Sequence, residues 1–270
     1  MRNKLENSHW SDYWNSGIIT SLPQDFKNNY DGEFAAFWQQ VIAALAEEST
    51  VVDVCTGNLA LPLLISQLNQ SESKLLHIKA VDLAKIEKDK IAQRHPNLQS
   101  WLNEIHVIDE TPVESLTNQI HTPVDLITSQ YGLEYCETET IAPLLTNLLK
   151  PGGRLVFVSH ATDTDILKSM QEEKRAFDIL DELKVFSTLK SYGDGRFQPA
   201  YFQKQLKKQL DAIHRKLVEQ PAQLLQIFHQ ALGGLSQLTI DQLATQQTAV
   251  KQFYQQHWMA QMRAADLLWV

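Results

Sequence analysis

Two cysteines, Cys55 and Cys136, in a chain of 270 residues leave no framework of disulfides to staple a small secreted scaffold. Both lie inside apolar or motif segments, so reduced thiols and a cytoplasmic protein are the expectation. Basic residues are outnumbered, 24 against 32 acidic ones, for a formal net charge of −8. No long basic run occurs either, and without an extended phosphate-binding surface a nucleic-acid partner is disfavoured. The N-terminus has no apolar signal-peptide core, and no stretch reaches the roughly 18 apolar residues that a membrane span requires. His-Glu-x-x-His, paired-cysteine and EF-hand spacings are all missing, so no metal site is expected. What remains is a chain that can bury a real core, in one large α/β domain with additions or in two modest domains.

One stretch organises the rest. Val51-Val52-Asp53-Val54 is a β-branched apolar run that holds an acidic residue. Cys55-Thr56-Gly57-Asn58 is a small-residue turn, and Leu59 to Leu64 continues with helical spacing. The pattern predicts strand, turn and helix. In an open α/β sheet the turn outside the carboxyl end of such a strand is where a nucleotide-like ligand sits, and small residues there let the backbone approach it. A dinucleotide fingerprint of the GxGxxG type would need two more glycines. The turn is equally readable as an ordinary βα connection.

At Asp53, Cys55, Gly57 and Leu59 the sequence resembles the first motif of the class I S-adenosylmethionine-dependent methyltransferases, an acidic residue followed by alternating glycines. Only Gly57 is a glycine here, and Leu59 departs from the pattern. The resemblance runs over residues 40 to 160. It implies that S-adenosyl-L-methionine is the cofactor, held in part by Asp53, Cys55, Thr56 and Gly57. A second strand, Lys74 to Val81, ends at Asp82, which the resemblance places on the two ribose hydroxyls; a carboxylate has the acceptors for two such donors. Asp82 would serve equally as the N-cap of a following helix over Ala84 to Gln99 that Pro96 stops. A third strand, Glu104 to Asp109, puts Asp109 where the family has an adenine contact; a solvated loop is the other reading. A fourth strand from Pro123 leads into Ser129-Gln130-Tyr131-Gly132, with Gln130 and Tyr131 as cofactor-facing or substrate-facing candidates. Leu149-Lys150-Pro151-Gly152-Gly153 then reads as the helix stop and turn before a fifth strand.

The flanks read differently. Residues 1 to 32 are polar and aromatic, and Trp14 and Tyr30 either close over the cofactor as part of a lid or pack outside the sheet. Phe34, Phe37, Trp38, Val41, Ile42 and Leu45 have the spacing of an amphipathic helix over Glu33 to Leu45. From Asp163 onward helical spacing dominates, broken at Gly193-Asp194-Gly195 and at Gly233-Gly234, and no sixth or seventh strand is legible. His160, after the fifth strand, is a candidate base or substrate contact alongside Tyr131; a hydrogen-bonded loop histidine is the plainer reading.

The expected fold is therefore α/β, a Rossmann-like three-layer sandwich around a mostly parallel sheet, with an N-terminal cap (1–40), a cofactor-binding core (41–164) and a C-terminal helical addition (165–270). The expected function is methyl transfer to a small-molecule substrate. The alternative is a non-catalytic, cofactor-binding relative that acts in assembly or regulation. Residues 165–270 are the candidate surface for a homo-oligomer or a helical partner.

Overall fold

The computed structural model describes residues 8–21, 28–72, 74–161 and 163–266; Leu267 to Val270, which the sequence leaves undecided, lie outside them. These residues fall into two compact units, 8–160 and 161–266.

The first unit opens with α1 (Ser8–Trp14) and α2 (Gly32–Ala43), then β1 (Thr50–Val54), α3 (Ala60–Glu72) and β2 (His77–Val81). It continues through α4 (Lys88–Arg94), α5 (Gln99–Glu104), β3 (His106–Ile108), β4 (Val124–Gln130), α6 (Thr138–Leu148) and β5 (Leu149–Val158). The sheet has the order β3-β2-β1-β4-β5, and every neighbouring pair is parallel. Both faces are covered, as parallel sheets require. Trp38 and Ile42 of α2, Leu63 of α3, Ile91 of α4 and Leu102 of α5 share one buried cluster with Val51, Ile78 and Leu126. On the other face Val113 and Leu116, from a 3-10 turn at Val113–Asn118, and Ile141 and Leu145 of α6 cluster with Val52, Val54, Val81 and Ile127. The expected three-layer Rossmann-like sandwich is present, and α2 runs unbroken across residue 40.

The second unit is wholly helical: α7 (Asp165–Glu182), α8 (Val185–Gly193), α9 (Pro199–Glu219), α10 (Gln223–Gln237), α11 (Ile240–Thr245) and α12 (Gln247–Asp266). Phe177, Phe186, Phe202, Phe228 and Leu232 are buried in its own core. Tyr192 stacks on Phe202 with ring centroids 3.9 Å apart, and its hydroxyl donates to the Leu243 carbonyl at 2.6 Å. Gln209, also buried, donates to the carbonyls of Leu183 and Lys184, which clamps the left-handed Lys184 between α7 and α8. Among the described residues no sixth or seventh strand joins the sheet, and no helix is long and apolar enough to cross a membrane.

Five features differ from the sequence reading. The second strand begins at His77 rather than Lys74, and the third covers only His106–Ile108. The helix expected over Ala84 to Gln99 is α4 alone, because the Ala84 and Ile86 amides donate to the carboxylates of Asp82 (2.8 Å) and Asp109 (3.1 Å), which holds this stretch as a loop. Pro96 does end α4. The Pro151-Gly152-Gly153 turn lies inside β5, as a bulge: Leu149 pairs with Val124 and Arg154 with Leu126, so the residues between loop out. Gly233-Gly234 is no break, since α10 runs through both.

Candidate functional site

The carboxyl ends of β1, β2 and β4 gather most of the buried polar groups of the first unit. Order reverses between β1 and β4, which makes their mouth the switch point where ligands enter open α/β sheets. The turn after β1 has left-handed backbone at three alternate positions, Cys55 (φ 55), Gly57 (φ 54) and Leu59 (φ 67). An L-residue pays roughly 1–2 kcal/mol for that conformation. The chain thus keeps the conformation of an alternating-glycine turn although two of the glycines are missing, and strain held in place in this way is a signature of functional sites. The Leu59 side chain is fully buried in the core, which compensates its backbone. Gly57 is required for a second reason: a Cβ there would lie 2.5 Å from the indole of Trp14. Gly132, after β4, is required by the same kind of contact, its Cβ position being 2.4 Å from Cys55 Cβ.

Asp53 is buried, and its Oδ1 accepts from Thr128 Oγ1 at 2.7 Å. Desolvation raises its pKa to about 7, against opposing hydrogen bonds from Thr56 and Thr128. Asp82 is equally buried; its Oδ2 accepts from the Gly57 amide at 2.7 Å and its Oδ1 from the Ala84 amide at 2.8 Å. Burial raises its pKa to about 6. Asp82 caps no helix, since the N-cap of α4 is Glu87. Each of its oxygens uses one lone pair on the backbone and keeps another for a ligand. Asp109 is half-buried at the end of the edge strand β3, where it ties down the Ile86 amide.

Tyr30 is buried beside Asp53, Tyr131 and Gln130; burial, then the Asp53 charge, pushes its hydroxyl pKa upward. Gln130 Oε1 accepts from the Trp38 indole at 2.6 Å. Tyr131 has left-handed backbone (φ 57), and its ring stacks on His160 with centroids 4.5 Å apart. His160 is half-buried, and desolvation lowers its pKa against the pull of Glu134. Cys55 and Cys136 are free thiols with their sulfurs 3.6 Å apart; that contact, and then burial, raises the Cys55 pKa.

The N-terminal segment lies on this mouth. Besides the Trp14 contact with Gly57, Asn58 Nδ2 donates to the carbonyls of Trp14 and Ile18, each at 2.7 Å. Trp10 meets Tyr135 edge to face at 4.9 Å, and the Lys85 amide donates to Ser11 Oγ. Of the residues singled out in the sequence, the structure brings Trp14 to Gly57, Gly57 to Asp82, and Tyr30 to Asp53, Gln130 and Tyr131; Asp109 follows Ile108, the partner of Val81, so that it lies beside Asp82 at the edge of the mouth. The sequence reading missed Asn58, Thr128, Ser129 and Glu134. The first three had one weak signal, polar residues at or beside the end of an apolar strand. Glu134 had none.

No family model matches the chain, and no curated protein matches it. Among solved structures it is similar to an rRNA methylase from Streptococcus thermophilus, with 22% identity over 49% of this chain and 72% of that one and a TM-score of 0.36. It is similar to phosphoethanolamine N-methyltransferase 1 from Haemonchus contortus, solved with phosphoethanolamine and S-adenosylhomocysteine, with 13% identity over 60% of this chain and a TM-score of 0.40. It spans only 34% of that enzyme's length. It is also similar to an S-adenosylmethionine-dependent methyltransferase from Thiobacillus denitrificans, solved with S-adenosylhomocysteine, with 13% identity over 84% of this chain and 89% of that one and a TM-score of 0.38. At these scores the likenesses add nothing to what the chain's own geometry supports.

Proposed function

We propose that residues 8–160 bind S-adenosyl-L-methionine at the carboxyl ends of β1, β2 and β4, and that the protein transfers its methyl group to a small-molecule acceptor. The observation that carries this reading is the pairing of a left-handed turn, Cys55 to Leu59, with the buried carboxylate of Asp82 at the switch point of the sheet. The donor and acceptor chemistry fits the cofactor. Asp82 has unused acceptor capacity for two ribose hydroxyls, and the buried Ser129 Oγ has no hydrogen-bond partner among the described residues. Bound there, the cofactor supplies a sulfonium methyl to an in-line displacement. The protein's share is chiefly positioning, worth up to about 7–11 kcal/mol in well-aligned systems. Trp14 and Tyr30 keep water from the mouth, and burial raises the pKa values of Asp53 and Asp82, so that a cation beside them would stabilise their ionised forms. His160, held neutral by burial, is the side chain suited to accept a proton if the acceptor brings one.

Calorimetry tests the reading. S-adenosylhomocysteine and S-adenosylmethionine should both bind and NAD should not, because the turn lacks the glycines that a pyrophosphate needs. Binding of NAD without a response to either adenosyl compound overturns it.

A further inference from the structure

Glu134 is the most enclosed carboxyl group that the cofactor reading leaves unused. It lies in the 3-10 turn Leu133–Tyr135, directly after the carboxyl end of β4, and is 2% exposed. Its Oε1 accepts from the backbone amide of His160 at 2.9 Å, which ties it to the segment after β5. Its Oε2 is buried and has no hydrogen-bond partner among the described residues. A carboxyl oxygen so placed is costly unless a donor reaches it. Among the described residues no donor reaches it: the nearby imidazole of His160 is stacked on Tyr131 and makes no hydrogen bond to Oε2. Ser129, also buried and with its Oγ unpartnered, closes the same strand end.

We infer that Glu134 recognises a positively charged nitrogen on the methyl acceptor, so that the acceptor is an organic ammonium or a related N–H-bearing cation; this rests on the methyl-transfer reading above. Oε1 is fixed by the His160 amide, which leaves Oε2 in one orientation for the incoming donor. The residue is one of specificity, acting on the acceptor's charge, and it takes no part in holding the cofactor.

A matched pair of probes tests this in the full chain. Protein saturated with S-adenosylhomocysteine is titrated with phenethylammonium and with 2-phenylethanol, which share a body and differ in charge, using the wild type and Glu134→Gln. The glutamine keeps an oxygen for the His160 amide and removes the charge. The wild type should bind the ammonium roughly tenfold more tightly or better, as a charge-assisted hydrogen bond predicts, and Glu134→Gln should abolish most of that preference with S-adenosylhomocysteine affinity unchanged. Equal affinities in the wild type, no ammonium binding, or a preference that survives the substitution overturns the assignment. The wild-type comparison decides alone if the variant does not fold. Failure of the first step, with no S-adenosylhomocysteine bound, removes the methyl-transfer reading and this inference with it; successful loading followed by no charge preference removes this inference alone.

Discussion

In residues 8–160 the mouth of the sheet buries Asp53, Asp82, Ser129, Gln130 and Glu134, and Cys55, Leu59 and Tyr131 sit there with left-handed backbone. In residues 161–266 the buried polar side chains are Thr188 and Gln209, joined to each other at 2.8 Å, and Lys184 alone among non-glycine residues is left-handed. The helical unit follows the ordinary rules of burial, apolar faces inward, and among its described residues Gln209 Oε1 is the one buried side-chain oxygen or nitrogen without a partner. In the sheet unit the departures gather along the carboxyl ends of three strands, with others elsewhere, such as the unpartnered Ser66 Oγ and the left-handed Glu48. The concentration of such costs at the mouth supports the proposed placement of the site there.

The comparison is broken most severely by truncating the helical core. Phe228→Ala should destabilise that unit by about 3–5 kcal/mol, seen as a lower unfolding transition, while S-adenosylhomocysteine affinity of the folded protein stays unchanged. An equal loss of affinity would mean that the helices share the cofactor site.

Next is pH. Asp53 and Asp82 have folded pKa values of about 7 and about 6, above the ordinary 3.8. The folded state therefore binds protons more tightly than the unfolded chain, so this contribution is fully present below about pH 4 and is lost as pH rises through 6 and 7. For Asp53 the loss is on the order of 4 kcal/mol at about 1.36 kcal/mol per pKa unit. Asp53→Asn, which keeps the oxygen that Thr128 bonds, should flatten the fall in urea-unfolding stability between pH 5 and 8. The same ionisation should make cationic S-adenosylmethionine bind more tightly as pH rises through this window, with neutral S-adenosylhomocysteine less affected; identical pH profiles would separate the carboxylates from the ligand.

Asp82→Ala should weaken S-adenosylhomocysteine binding by about 1.5–3 kcal/mol, ten- to a hundredfold in titration. Asp82→Asn is not a silent control, because its amide nitrogen would face one of the two backbone amides that Asp82 now accepts. It should lower both affinity and melting temperature. A drop in melting temperature alone, in both variants, would reduce Asp82 to a structural tie.

The smallest effects come from a glycine pair of opposite sign. Gly57→Ala places a Cβ on left-handed backbone and against Trp14, and should lower stability by about 1–2 kcal/mol from the backbone alone, with cofactor affinity falling too. Gly234→Ala, inside α10 with no atom within 4 Å of the new Cβ, should raise stability by about 0.5–1 kcal/mol. Thermal melts of both variants check the contrast.

Legibility follows the same division. The strands were readable because Val51 to Val54 and Val124 to Ile127 are apolar runs buried on both faces, and α2 and the helices after Asp165 because one face of each is apolar. The loop at 84–87 was not readable: Asp82 and Asp109 hold it through side-chain bonds to backbone amides, while its composition remains that of a helix. Gly233-Gly234 looked like a break because glycine weakens a helix, yet the apolar face on both sides carries α10 through. Among site residues, Asp53, Gly57 and Asp82 stood at motif positions. Trp14 over Gly57 and Glu134 under His160 are contacts between distant segments, which no local pattern encodes.

Asn58 joins the turn after β1 to the carbonyls of Trp14 and Ile18, so the segment that covers the mouth is fastened by the turn that would hold the cofactor. In kinetic language, the proposed site would then be gated: entry and exit of the bound molecule would both wait for the same two hydrogen bonds to open. Asn58→Ala should accelerate association and dissociation of S-adenosylhomocysteine together in stopped-flow measurements, with little change in their ratio. The residence time of the product, rather than its affinity, is the property that this one amide would set at the proposed site.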